Sequence, residues 1–312
     1  MSSQIKAKII ADSVSAMNGQ RITTFELEYP RFIHSELMTH RLFSRNAMSS
    51  RAVPIEKMLD QVREDPAFPI HWGLNQPGMQ AKKEVSGVDR YGNDLKWLLK
   101  ARWHEAARMQ ASFAQEFSEH GLHKQVVNRI LEPFQLMKTV LTATEFDNFF
   151  WLRKHEDAQP EIKELADKMY EQLELNKLLT VELDAGDWHT PYYENGAWFK
   201  FDTDGVPLED ALAISSSCCA QVSYRLLDDS IEKARKVYQR LVESTPVHAS
   251  PFEHQASPME QPSGDTLGGF VEWSKGETHI DKQGDKWSGN FKSWIQYRQL
   301  IDGNVCNKFE EK

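Results

Sequence analysis

The densest set of reactive side chains is His40-Arg41-Leu42-Phe43-Ser44-Arg45-Asn46-Ala47-Met48-Ser49-Ser50-Arg51. Three arginines, a histidine and three serines in so short a run supply forked, charge-assisted hydrogen bonds of the kind a phosphate or pyrophosphate needs. An arbitrary loop of this composition is most often just solvated, so the spacing of its letters has to carry any functional claim.

Three further stretches hold chemistry. His248-Ala249-Ser250-Pro251-Phe252-Glu253-His254 has the form of a helix start, with Ser250 as N-cap and Pro251 at the first position. Upstream of it runs Cys219-Ala220-Gln221-Val222-Ser223-Tyr224. In mid-chain, Phe149-Phe150-Trp151-Leu152-Arg153-Lys154-His155-Glu156-Asp157-Ala158-Gln159-Pro160-Glu161-Ile162 sets one arginine on an amphipathic segment, where pairing with Glu156 or Asp157 is the usual fate.

Together these stretches resemble the flavin-dependent thymidylate synthases. His40, Arg41, Ser44, Asn46, Ser49 and Arg51 match that family's signature RHRxxSxNExSxRY, with Thr39, Ala47 and Ala52 as departures and Glu36 where the family has an upstream Gln. The mid-chain stretch is similar to FLxLRxxxxAQxEI, the late one to Hx[ST]PFEH, and Cys219 to Tyr224 to AxV[SC][YF]. Residues 121 to 133 resemble GxxxExxRxxLP, with Gln125 for Glu; Thr142 and Thr144 stand where the family has Asn and Arg.

The resemblance implies roles residue by residue. Arg153 would contact the pyrimidine ring and stabilise negative charge developing on its carbonyl side; His40, Arg41, Asn148, Ser223, His248, Ser250 and Glu253 would line the flavin. Glu36, Ser44, Ser49, Ser50, Arg51 and Arg129 would hold the nucleotide. It also implies FAD, NADPH and 5,10-methylenetetrahydrofolate, a homotetramer, and an α+β fold with an antiparallel sheet and long packed helices. The AxVSY and SPFEH elements come before the HRxxSxN loop in the family but after it here, which implies a circular permutation. Exchange of this kind is tolerated when old termini lie close and the new cut falls in an exposed loop. The division is then a first half 1–179, a connector 180–210 and a second half 211–312, packed as one structural domain.

Periodicity supplies the elements that position these residues. Ile22 to Tyr29 alternates as a half-buried strand that Pro30 ends. Helices are expected from Arg31 to Phe43, from Leu99 past Phe117 to a stop near Gly121, and from Thr139 to Lys154. Others are expected from Pro160 over Ile162, Leu165, Met169 and Leu173, from Ala211 to Tyr224, and from Ser230 to Ser244. The Ser/Arg/Asn stretch through Ala52 and the Pro/Gly-rich residues 60–92 read as loops.

Bulk properties exclude several classes. With 312 residues and 40% hydrophobic content the chain can fill a real core. No apolar run approaches the roughly 18 residues of a membrane span, and no signal sequence opens the chain, so a cytoplasmic protein is expected. Cys218, Cys219 and Cys306 form neither a disulfide framework nor a thiolate zinc site, and no metal is expected. A formal charge of -9 disfavours polymeric nucleic acid while leaving a free pyrimidine deoxynucleotide compatible. Two rivals to thymidylate synthesis stand beside it: a flavin-dependent hydroxymethylase acting on dUMP or dCMP, and a non-catalytic nucleotide-binding relative.

Overall fold

The computed structural model describes residues 4–78, 80–202, 205–223, 227–260 and 273–309. Tyr224, the last letter of the CAQVSY element, lies outside the described residues, as does part of the Gly-rich piece between Gly264 and Gly289. The main sheet is made of β1 (Lys6–Ser15), β2 (Arg21–Pro30), β3 (Ser44–Ala47), β4 (Leu136–Ala143) and β5 (Val181–Leu183), in the order β3-β4-β2-β1-β5. All neighbours pair antiparallel except β5, which runs parallel to β1.

Alternation along β2 sorts its side chains as the sequence predicts. Phe25, Leu27 and Tyr29 enter one core with no exposed surface, each burial contributing about 1.5–3 kcal/mol. The helices on that side are α1 (His34–Leu37), α2 (Ile55–Glu64), α3 (Leu95–Glu119), α4 (Lys124–Ile130), α5 (Asp147–Arg153) and α6 (Pro160–Leu175). Pro160 opens α6 where its missing N–H costs nothing, the Gln159 side chain accepts from Glu161 N and Ile162 N, and Ile162, Leu165, Met169 and Leu173 are buried as expected.

The opposite face is covered by the rest of the chain: β6 (Trp188–His189), β7 (Ala197–Trp198), α7 (Leu208–Ala220), α8 (Ile231–Glu243) and β8 (Ala256–Pro258), followed by β9 (His279–Ile280), β10 (Lys286–Ser288), β11 (Phe291–Lys292) and β12 (Trp294–Gln296). A second sheet runs β12-β8-β6-β7. Trp294, fully buried, packs with Ile22 and Leu183 between the layers, and its Nε1 donates to Gln20 O at 3.1 Å. The layers are also joined by a buried polar chain. Ser13 Oγ meets His189 Nδ1, His189 Nε2 meets Thr24 Oγ1, Thr24 meets its strand partner Thr142, and Thr142 meets His254 Nδ1, each at 2.7–2.8 Å.

Two expectations need correction. The stretch from Thr139 to Lys154 is not one helix but strand β4 followed by the short α5. Flanked by β2 and β3 and buried at every position but Lys138, β4 shows no strand alternation, and without it periodicity does not tell a strand from a helix. The expected helix from Arg31 to Phe43 is a 3-10 turn plus the single-turn α1, and the following loop contains strand β3. The 180–210 stretch, expected as a connector, carries β5 in the main sheet and β6 and β7 in the second.

Gly196 sits where the second layer touches β1. It has φ +86°, and a Cβ there would lie 2.8 Å from Ala11 Cα. Gly196→Ala is therefore expected to destabilise the fold by about 1–3 kcal/mol, through left-handed backbone strain and overpacking together. Urea denaturation measures it, and an unchanged midpoint would contradict the packing described.

Candidate functional site

Arg153, at the end of α5, is the hub. Its Nε donates to His40 Nε2 at 3.0 Å, Nη1 to Glu36 Oε2 at 3.1 Å, and Nη2 reaches Thr39 Oγ1 at 3.4 Å. The expected partners Glu156 and Asp157 make no ion pair with it; the carboxylate it pairs with, Glu36, comes from α1, more than a hundred residues away in sequence. His40 is buried against Phe43 and Phe149, with ring centroids 5.8 and 4.9 Å away. Burial first, then the neighbouring Arg153 and Arg45 charges, push its pKa down to about 4. The ring is therefore neutral near pH 7, as an acceptor for Arg153 must be.

The Arg/Ser loop is held from several sides. Arg45 Nη1 donates to the carbonyls of Leu37 and His40, fixing the turn that presents His40. Asn46 Nδ2 donates to Cys219 O at 3.2 Å, and Ser49 N donates to Ser223 Oγ at 2.9 Å, so the CAQVS element packs directly on the loop. Ser44 Oγ, buried, lies 3.0 Å from Asn290 Oδ1 and from Gln296 Nε2, and Gln296 Nε2 also donates to Glu253 O. The turn of residues 250–253 thus shares β3 with the loop, and Glu253 pairs with Arg298.

Several expected contacts look different in space. Ser250 is not an N-cap; Ala249 occupies that position without a side-chain bond, and Ser250 begins a 3-10 turn. Ser44 and Ser50 are buried and committed to the protein, Ser50 Oγ donating to Glu132 Oε1 at 3.2 Å. The same Glu132 oxygen accepts from Arg129 at 2.9 Å and pairs with Arg31 at 3.0 Å, which draws Arg129 toward the loop. The side chains of Arg41, Arg51, Asn148, His248 and Ser250 are exposed and make no hydrogen bond or ion pair among the described residues.

Sequence reasoning missed Arg45, Asn290, Gln296 and Arg298, which hold the site from the loop itself and from the far end of the chain. Only Arg45 carried a signal, its place inside the basic run. Cys218 and Cys219 are buried in α7, and burial raises the first thiol to about 12 and the second well above its usual range. Neither serves as a thiolate nucleophile near neutral pH.

Beside Arg153 opens a groove of about 1150 Å³, walled by Phe32, Glu36, Trp103 and the segment containing His71 and Gln80. Among the described residues no helix is long and apolar enough to cross a membrane.

The sequence model of the family described as thymidylate synthase complementing protein matches residues 9–176. Among solved structures the chain is similar to a UMP/dUMP methylase, PolB from Streptomyces cacaoi bound with 5-Br dUMP, at 18% identity and TM-score 0.43 over 56% of this chain and 91% of that one. It is also similar to the flavin dependent thymidylate synthase ThyX from Helicobacter pylori complexed with FAD and dUMP, at 21% identity and TM-score 0.34 over 51% of this chain and 71% of that one. No curated protein sequence matches.

Proposed function

Because this chain belongs to the thymidylate synthase complementing protein family, we propose that it transfers a one-carbon unit from 5,10-methylenetetrahydrofolate to C5 of dUMP, with reduction through NADPH and FAD, giving dTMP. The observation that carries this is the meeting of Arg153 with His40 and Glu36 at 3.0 and 3.1 Å. The arginine of the LRxxxxAQxEI segment and the histidine of the HRxxSxN loop, distant in sequence, form one site.

The donor set fits a flavin dinucleotide. Arg41, Asn148, His248 and Ser250, with unengaged side chains, and Ser223 and Glu253 beside the loop would hold it, arginine matching the pyrophosphate. Bound FAD supplies the reducing equivalents that side chains cannot. The protein's own work is positional and electrostatic. Arg153 orients the pyrimidine and offsets negative charge on its carbonyl side, in a groove where partial burial strengthens the interaction. Ser49, Arg51 and Arg129 receive the phosphate, while Ser44 and Ser50 keep the loop in place. No cysteine nucleophile is required.

The same reading takes the chain as circularly permuted and as acting in the cytoplasm on a free nucleotide. In support, the CAQVS and HASPFEH elements follow the loop in sequence yet pack against it through Ser223 and Gln296. It also takes the protein as a homotetramer. On α3, Met109, Phe113 and Phe117 are 53%, 45% and 40% exposed, and the helix buries Ala107, Ala111 and Ala114 instead. Such a stripe suits helix packing between copies. Phe113→Glu is expected to shift the protein to a smaller assembly in light-scattering chromatography; an unchanged mass would remove this surface from the interface.

Incubation with [5-³H]dUMP, methylenetetrahydrofolate, FAD and NADPH should release tritium to water, and mass analysis of the product should show a methyl group. A hydroxymethyl product would move the assignment to the hydroxymethylase, and no release from dUMP or dCMP would leave a binding protein.

A further inference from the structure

The turn that carries Pro251, Phe252 and Glu253 is gripped by a segment far outside residues 9–176, which the family model matches. On its own the turn is weakly specified, four residues of 3-10 geometry without a side-chain cap. β12 pairs antiparallel with β8, Trp294 opposite Pro258 and Gln296 opposite Ala256. Continued past Gln296, that register carries the chain onto the turn, and successive residues take hold of different parts of it. Gln296 Nε2 donates to Glu253 O at 3.2 Å, Tyr297 N donates to Gln255 O at 2.9 Å, and Arg298 Nη1 pairs with Glu253 Oε1. On the apolar side Phe252, fully buried, meets the Tyr297 ring edge-on at 5.7 Å and packs with Ile301.

The surroundings of the Glu253 carboxylate single out Arg298. Its guanidinium is fixed from two sides, by Glu253 and by the Asn304 carbonyl, which Nη2 reaches at 3.2 Å. Its Nε–H is buried and finds no acceptor among the described residues. A buried donor left unmade costs free energy, so the bonds to Glu253 and Asn304 outweigh that cost in setting the orientation. Arg45, on the Arg/Ser loop, adds a second positive charge that acts on the same carboxylate. A carboxylate accepts at both oxygens. Arg298 engages Oε1, whereas Oε2 accepts no hydrogen bond among the described residues, and the side chain keeps 19% of its exposure. The pair therefore pins the side chain and leaves one acceptor available.

We propose that Arg298 is a positioning residue of the cofactor site. It holds the Glu253 carboxylate so that Oε2 accepts from an N–H or O–H of the flavin dinucleotide, and it offsets the carboxylate charge beside the flavin. The proposal rests on the reading of Glu253 as a flavin contact, and it extends the site to residues 296–304.

FAD affinity, and the midpoint potential of the bound flavin at saturating FAD, are measured on wild type, Arg298→Gln, Glu253→Gln and the double variant. Arg298→Gln is expected to weaken FAD binding roughly 10-fold, the weight of one hydrogen bond involving a charged group. In the Glu253→Gln background the same change should cost less than about twofold, because its partner is already gone. Reduction adds negative charge to the flavin. A Glu253 carboxylate without its counter-charge should therefore make the potential more negative in Arg298→Gln, and adding Glu253→Gln should restore it. Arg298→Lys, which keeps the charge, should keep the potential. Equal losses of affinity in both backgrounds, or an unmoved potential, overturn the proposal while FAD uptake by the wild type leaves the functional reading standing. A wild type that takes up no FAD overturns both. Hydrogen exchange on the wild-type protein needs no variant: FAD should protect residues 296–304 together with 250–255, and protection confined to the turn overturns the proposal too.

Discussion

Replacement of Arg153 by alanine is expected to lower kcat/KM for tritium release from C5-labelled dUMP by roughly 10²- to 10³-fold, the usual effect of removing one preorganised donor from a developing anion. Arg153→Lys should recover little of it. A lysine ammonium is a point charge that cannot span His40, Glu36 and Thr39 while keeping two further N–H groups for a ligand. The loss should fall on kcat as well as KM, because the charge is needed most in the transition state. Removing Arg153 also takes away one of the two charges that depress His40, so its pKa should rise from about 4 while burial keeps it below 6.5. NMR titration of the His40 ring checks that shift. An alanine variant with normal turnover would take Arg153 out of the site.

The second large effect is acid instability. His189 and His254 are fully buried, and burial pushes each pKa down to about 3; His40 stands at about 4. All three have depressed folded-state values, so between 6.5 and 3 the unfolded chain binds more protons than the native one. Stability is fully present above pH 6.5, falls progressively as pH drops, and changes no further from these groups below about 3. At about 1.4 kcal/mol per pKa unit, the loss is on the order of several kcal/mol. Denaturant midpoints at pH 7.5, 6, 5 and 4 should decline in that order, and His189→Gln should flatten the slope even though it weakens the fold by disturbing Ser13 and Thr24. Equal midpoints across this range would mean that these rings take up protons as readily in the native protein as in the unfolded chain.

Much of the fold could be read from local pattern. β2 announced itself through alternation, and α6 through Pro160 and a regular apolar face, because in each the buried side chains follow the element's own period. β4 could not be read so, since a central strand covered on both faces loses its alternation. β3 was hidden because four residues cannot show a period. On α3 the pattern gave amphipathicity but not which face the subunit covers: small alanines pack inward and Met109, Phe113 and Phe117 face out.

The site divides in the same way. His40, Arg153, Ser223 and Glu253 were legible because they stand inside multi-letter motifs. Gln296 and Asn290, which hold Ser44, and His189, which links the layers, act across 165 to 252 residues of sequence. No local spacing encodes such contacts. Glu36 was visible as a departure from the family pattern, but its role as the partner of Arg153 emerged only from the fold.

The Arg/Ser loop and the Pro-Phe-Glu-His turn are proposed to enclose one isoalloxazine-bearing cofactor. Equilibrium titration of FAD into the purified protein and into Arg41→Ala and Ser250→Ala tests it most directly. Saturable binding that both substitutions weaken is the predicted result; a protein that does not take up FAD, or an affinity that either substitution leaves untouched, would contradict it.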